Sequence, residues 1–208
     1  MNRPDGAAPN AAPDPVTWVA PRAIEGDQVR LEPLGRRHAA GLAVVGVDPE
    51  IWTFMPCPPD IVAFIDRAAL EQEEGQRVAF AIIDRHSGTA IGSTSFLDVQ
   101  PLHRRVEIGW TWIGRAYWRT AINTETKLLL LTHAFDRMGA ERVALKTDGR
   151  NVRSQAAIAR LGAQREGVLR RHMRLPDGFI RDTVYYSILR EEWPLVREGL
   201  RQRLGASG

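Results

Sequence analysis

Lysine is almost missing from this chain. Of its 28 Lys and Arg residues, only Lys127 and Lys146 are lysine, so arginine carries nearly all the positive charge. Cysteine occurs once, as Cys57, which excludes an internal disulfide and fits a reducing, cytoplasmic setting. Cys57 sits in the stiff stretch Met55-Pro56-Cys57-Pro58-Pro59, with neither a CxxC partner nor a nearby histidine, and is expected to be structural. No apolar stretch approaches membrane-spanning length, and no basic head with an apolar run opens the chain. A membrane segment or signal peptide is therefore not expected. The five histidines, His38, His86, His103, His133 and His172, form no HExxH pattern or close ligand pair, so no metal site is expected.

The net charge is +3 and the sequence pI about 9.5, which permits an anionic ligand without demanding a nucleic-acid partner. Hydrophobic residues make up 44%, enough for a core. At 208 residues the chain suits one domain. Residues 1–20 are rich in Ala, Pro, Asn and Asp and are expected to form a flexible arm, leaving a single domain over 21–208.

Within that domain, alternation predicts a strand over Ile24–Leu34. Helices are expected at Arg36–Val45 and Pro58–Gly75. Strands follow at Val78–Asp84, Ala90–Val99 and Arg105–Ile113, with a turn at His86-Ser87-Gly88. The loop Gly114–Arg119 leads to a helix at about Asn123–Met138, ended by Gly139. A strand at Arg142–Thr147 and a helix at Asn151–Leu161 come next. Ala163–Leu175 and Phe179–Leu189 form a hairpin around Pro176-Asp177-Gly178, and Glu191–Leu204 is a C-terminal helix. The fold class is α/β (α+β), with a mixed, mostly antiparallel sheet of about seven strands flanked by helices.

Four segments, in order, resemble the GNAT acetyltransferase superfamily of the RimJ/RimL type. They are Val106–Trp110 with Tyr117-Trp118 and Asn123-Thr124-Glu125; Asn151–Gly162; Glu166–Arg170; and Arg181–Ser187. The resemblance spans roughly Ile24 to Trp193 and implies transfer of an acetyl group from acetyl-CoA to an amine acceptor, with no metal. That acceptor would be a protein N-terminus or a small molecule. It is also compatible with a homodimer.

The resemblance places the coenzyme's pyrophosphate at a helix N-terminus, where unpaired N–H groups and the helix dipole attract anions. The family pattern there is Arg/Gln-x-x-Gly-x-Gly/Ala. The matching residues are Trp118, Arg119, Thr120, Ala121, Ile122 and Asn123, followed by Thr124. Arg119 and Ala121 stand where many relatives carry glycine. Arg119 either pairs with a phosphate or fills its site, and the second outcome would make the chain a catalytically silent GNAT-fold binding protein. Asn151 is suited to the pantetheine amides or to a helix cap. Ser154 is placed near the thioester sulfur, as a general acid or as an ordinary first-turn residue.

Glu107 lies mid-strand, facing away from Val106 and Ile108. It is either the base that strips the acceptor ammonium or a sheet residue paired with a cation. Backbone N–H groups near Ile108, Gly109 and Trp110 are expected to hold the cofactor and the oxyanion. Glu125 is expected to be structural. Trp52, Phe54 and Met55 are candidates for an acceptor-pocket wall or for core packing. His172, on the closing hairpin, is a candidate substrate contact.

Overall fold

The computed structural model describes residues 14–55, 60–175 and 177–206. Cys57 and Pro176, with their expected turns, lie partly or wholly outside these. Eight strands form one sheet: β1 Ile24–Glu25, β2 Val29–Pro33, β3 Arg77–Asp84, β4 Ala90–Gln100, β5 Arg105–Ile113, β6 Arg142–Asp148, β7 Gln164–Arg174 and β8 Ile180–Leu189. Their order is β1-β2-β3-β4-β5-β6-β8-β7. All neighbours are antiparallel except β5 and β6.

The expected first strand is two strands. A turn at Gly26–Gln28 divides it, and the buried carboxylate of Glu125 accepts the N–H groups of Asp27, Gln28 and Val29 at 2.6–2.8 Å. Glu125 is therefore structural, as expected. A Cβ on Gly26 would stand 2.9 Å from that carboxylate, which explains the glycine.

The helices are α1 Pro15–Val19, α2 Ala39–Val45, α3 Ile61–Glu73, α4 Ala121–Thr132, α5 Val152–Arg160 and α6 Trp193–Gly205. The flexible arm expected at 1–20 needs correction over its described part. Asp14 caps α1 by accepting from Val16 and Thr17, Val19 is buried, and Trp18 donates its indole N–H to the Met138 carbonyl at 2.9 Å. Two apolar side chains suffice to dock a turn that average composition made look mobile. The helix expected at Asn123–Met138 starts earlier, at Ala121 behind the cap Thr120. It widens to a π turn at His133–Arg137, where buried His133 contacts the Val19 carbonyl at 2.6 Å.

The sheet separates two apolar layers. Val29, Leu31, Phe80, Ile82, Phe96, Val106 and Ile108 pack with Leu130, Leu131 and Phe135 of the α4 segment and with α6. On the opposite face, Ala81, Ile83 and Trp112 pack under α2 and α3 with Leu42, Phe64 and Ile65. Alternation along β5 turns Glu107 toward the α3 face.

Candidate active site

Strands β5 and β6 pair only at Arg105–Arg142, Val106–Val143 and Glu107–Ala144. Beyond these pairs, Ile108–Ile113 and Leu145–Asp148 part, and the sheet opens between them. β5 stays attached to β4, with Ser95 opposite Gly109 and Ser93 opposite Trp112. Thr94 alone therefore faces both Trp110 and Thr111. This is a bulge, and Trp110 takes the left-handed φ of 49°. Buried Lys127 reaches the bulge from α4 and donates to the Thr111 hydroxyl at 2.6 Å, which in turn bonds the Thr94 hydroxyl at 2.8 Å. Burial pulls the Lys127 ammonium down to about 7.

Glu107 sits where the strands part and is only 3% exposed. Its Oε2 accepts from Lys146 Nζ at 2.9 Å, and its Oε1 has no protein partner among the described residues. Gly109 lies beside that free oxygen; a Cβ there would stand 3.0 Å from Oε1 and 2.7 Å from Leu97 Cδ1. Burial pushes the Glu107 carboxyl above the ordinary range, against the opposing pull of Lys146. The two lysines of the chain thus flank the opening, one on each face of the sheet.

At the far end of β5, the Trp118 indole donates to the Ile113 carbonyl at 2.7 Å. Its ring lies 3.6 Å from the Arg153 guanidinium of α5. Arg119 has φ 63°, the left-handed conformation that glycine adopts freely, and its side chain is exposed. Thr120 caps α4 by accepting from the Ile122 N–H at 3.4 Å. The N–H groups of Ala121 and Asn123 have no protein acceptor among the described residues. Asn123 and Thr124 are half-buried. Free donors at the start of a 12-residue helix, beside an exposed guanidinium, fit a pyrophosphate.

On α5, Asn151 is the helix cap and accepts the Ser154 N–H at 3.0 Å. The Ser154 hydroxyl has no hydrogen bond among the described residues. Helix α5 packs on the α4 face of the sheet, where Gln155 Oε1 accepts from the Tyr186 hydroxyl at 3.5 Å. Ser154 and Glu107 thus belong to opposite faces, with the opening between β5 and β6 separating them.

The acceptor-side candidates divide. Trp52 is a packing residue: it is buried, its indole donates to the Gly46 carbonyl at 2.8 Å, and its ring lies 5.0 Å from Trp112. Met55 packs on the same cluster. Phe54 lies 5.4 Å from the Arg150 guanidinium, which stacks at 3.6 Å on Phe179 from the hairpin. His172 contacts the Thr183 hydroxyl at 3.1 Å and the Tyr185 ring at 5.8 Å. Neither Lys146 nor Arg181, on this face, is a site residue by sequence reasoning: Lys146 falls in an expected strand and Arg181 in a segment that carries the family resemblance. Among the described residues, no cluster of three or more His, Cys, Asp or Glu could hold a metal. No helix among them is long and apolar enough to cross a membrane.

A sheet opened between two parallel strands, with free helix donors at one end and an unpaired buried carboxylate at the other, defines an acyltransferase. Residues 28–164 match the model for the acetyltransferase (GNAT) domain, and the chain belongs to that family. GNAT acetyltransferases use acetyl-CoA. A GCN5-related N-acetyltransferase from Brucella melitensis is 28% identical, with TM-score 0.80 over 88% of this chain and 85% of its own. The "Uncharacterized N-acetyltransferase p20" of Bacillus licheniformis is 27% identical over 70% of this chain and 84% of its own. Mycobacterium smegmatis RimJ in complex with CoA-disulfide shares the fold, with 20% identity and TM-score 0.77 over 89% of this chain and 96% of its own.

Proposed function

We propose that this protein transfers an acetyl group from acetyl-CoA to a primary amine by direct attack, with Glu107 as the base. The observation that carries the reading is the Glu107 carboxylate, buried where β5 and β6 part, with one oxygen held by Lys146 and the other unpaired. Acetyl-CoA supplies a thioester, an activated carbonyl with a tolerable leaving group. Arg119, Thr120 and the N–H groups of Ala121 and Asn123 would hold its phosphates. The opening lined by Ile108–Trp110 would admit its pantetheine arm.

An amine attacks only when neutral, so Glu107 Oε1 takes a proton from the acceptor ammonium, directly or through one water. The raised carboxyl suits this work, because a base near the operating pH is the most effective. The bulge leaves Trp110 and Thr111 without a register partner on β4, so backbone N–H groups there would be available to stabilise the oxyanion. The Ser154 hydroxyl, at the start of α5, would pass a proton to the departing thiolate and be reprotonated through water by the proton that the attacking nitrogen sheds. A protein N-terminus or a small amine would approach on the α3 face.

Arg119 keeps the glycine-type backbone and leaves its side chain exposed, which supports retained cofactor binding over a silent module. Calorimetric titration with acetyl-CoA tests the reading. Saturable binding is expected, and no heat at millimolar cofactor would rule out the enzyme.

A further inference from the structure

The α3 face of β6 and β8 carries an odd charge. Lys146 and Asp148 stand opposite Tyr185 and Thr183, and Arg181 is the next residue on that face of β8. Lys146 is committed to Glu107 at 2.9 Å. Asp148 is saturated by Arg150: Oδ1 accepts its backbone N–H and Nε at 2.9 and 3.0 Å, and Oδ2 accepts Nη2 at 2.8 Å. Both carboxylates are thus in direct contact with other cations and act on Arg181 only at longer range.

Arg181 is 5% exposed, which is unusual for an arginine without a carboxylate. Its Nε donates to the Thr183 hydroxyl at 3.2 Å, its one hydrogen bond among the described residues. None of those residues forms an ion pair with it. No hydrogen bond from its terminal nitrogens is formed among the described residues. His172, on the same threonine, adds no second positive charge: burial, Lys146 and Arg181 together favour its neutral form. A buried cation left in this state costs stability, which a ligand could recover.

We propose that Arg181 binds a carboxylate carried by the acceptor, so that the amine substrate is an amino acid or a short peptide. The inference rests on acceptor binding on the α3 face. The Arg181 side chain contacts Thr183 on the strand face that also carries Lys146 and Glu107, close enough for Arg181 and Glu107 to act on each other electrostatically. An amine at Glu107 Oε1 and a carboxylate at Arg181 would then belong to one acceptor molecule bound on this face. Arg181 carries a single charge, on which Asp148 and Glu107 already act electrostatically, so the site suits a monoanion, whereas a phosphate dianion would bring surplus charge beside those carboxylates. A planar carboxylate also matches the guanidinium fork.

The test uses product analogues differing only in that group: N-acetylalanine against N-acetylalaninamide, and N-acetylalanylalanine against its amide. Binding to the full chain with coenzyme A present is measured by calorimetry, for wild type and Arg181→Gln. In at least one pair, the acid should bind wild type about 10–100-fold tighter than the amide, as a charge-assisted hydrogen bond gives. The preferred pair distinguishes a free amino acid from a peptide. Arg181→Gln should abolish the preference while coenzyme A binding persists, and Arg181→Lys should keep part of it. Equal binding of acid and amide, binding of neither, or a preference surviving Arg181→Gln overturns the proposal. If Arg181→Gln does not fold, the wild-type ratio decides. Coenzyme A binding without an acid preference overturns the carboxylate site alone; absent coenzyme A binding overturns the enzyme reading itself.

Discussion

Lys146 Nζ lies 2.9 Å from Glu107 Oε2, while the other oxygen of that carboxylate has no protein partner. The pair sets two opposing influences on one proton. Burial raises the Glu107 carboxyl and Lys146 lowers it, with burial the stronger. The acid limb of the kcat/KM profile should therefore lie above the ordinary carboxylate range, with activity rising as pH increases through it. Lys146→Met removes the opposing charge and should move that limb to still higher pH. Glu107→Gln should lower kcat about 10²–10⁴-fold and leave acetyl-CoA affinity nearly unchanged. Unaltered turnover across the pH range would remove Glu107 from the mechanism.

Gly109 protects the free oxygen. In Gly109→Ala the new methyl would press on Leu97 Cδ1 at 2.7 Å and on Glu107 Oε1 at 3.0 Å. Leu97 is half-buried and can yield, but the carboxylate is fixed by Lys146. The expected result is at least a tenfold fall in kcat with a stability loss of about 1–3 kcal/mol. Wild-type turnover would show that the oxygen is not used.

Arg119 holds a left-handed backbone at φ 63°. Arg119→Gly should relieve about 1 kcal/mol of strain, a rise of about 2–4 °C in melting temperature for a chain this size. It should also weaken coenzyme A binding several-fold, because a charge-assisted phosphate contact is lost. Tighter binding in the glycine variant would mean that the arginine obstructs the site.

Lys127 makes stability depend on pH. Its ammonium falls from 10.5 to about 7 on burial. Between those values the unfolded chain binds the extra proton, so stability should rise with pH across that window and be lowest below it. The full contribution is at most about 5 kcal/mol. Lys127→Met should flatten the melting temperature between pH 7 and 10 and raise it at pH 6. An unchanged slope would place the proton elsewhere.

The sequence made most of the sheet legible, because alternation and turn residues act locally. It read Arg105–Ile113 and Val78–Asp84 within a residue of their observed bounds. It missed what depends on distant partners. The carboxylate of Glu125 reaches across about 100 positions to split the first strand, and Val19 docks against His133. At the site, alternation along the strand gave the face of Glu107, and only the family resemblance proposed a role for it. Its partner was not legible, since Lys146 meets it only through the β5–β6 pairing. The scarcity of lysine was the available signal: in a chain that uses arginine elsewhere, both lysines lie at the opening.

The most direct test is a crystal structure with coenzyme A. The pyrophosphate should lie at the N-terminus of α4, on Thr120 and the N–H groups of Ala121 and Asn123, with the pantetheine arm between β5 and β6 and its sulfur between Glu107 and Ser154. Density for the coenzyme elsewhere, or an empty opening at millimolar coenzyme A, would contradict the account.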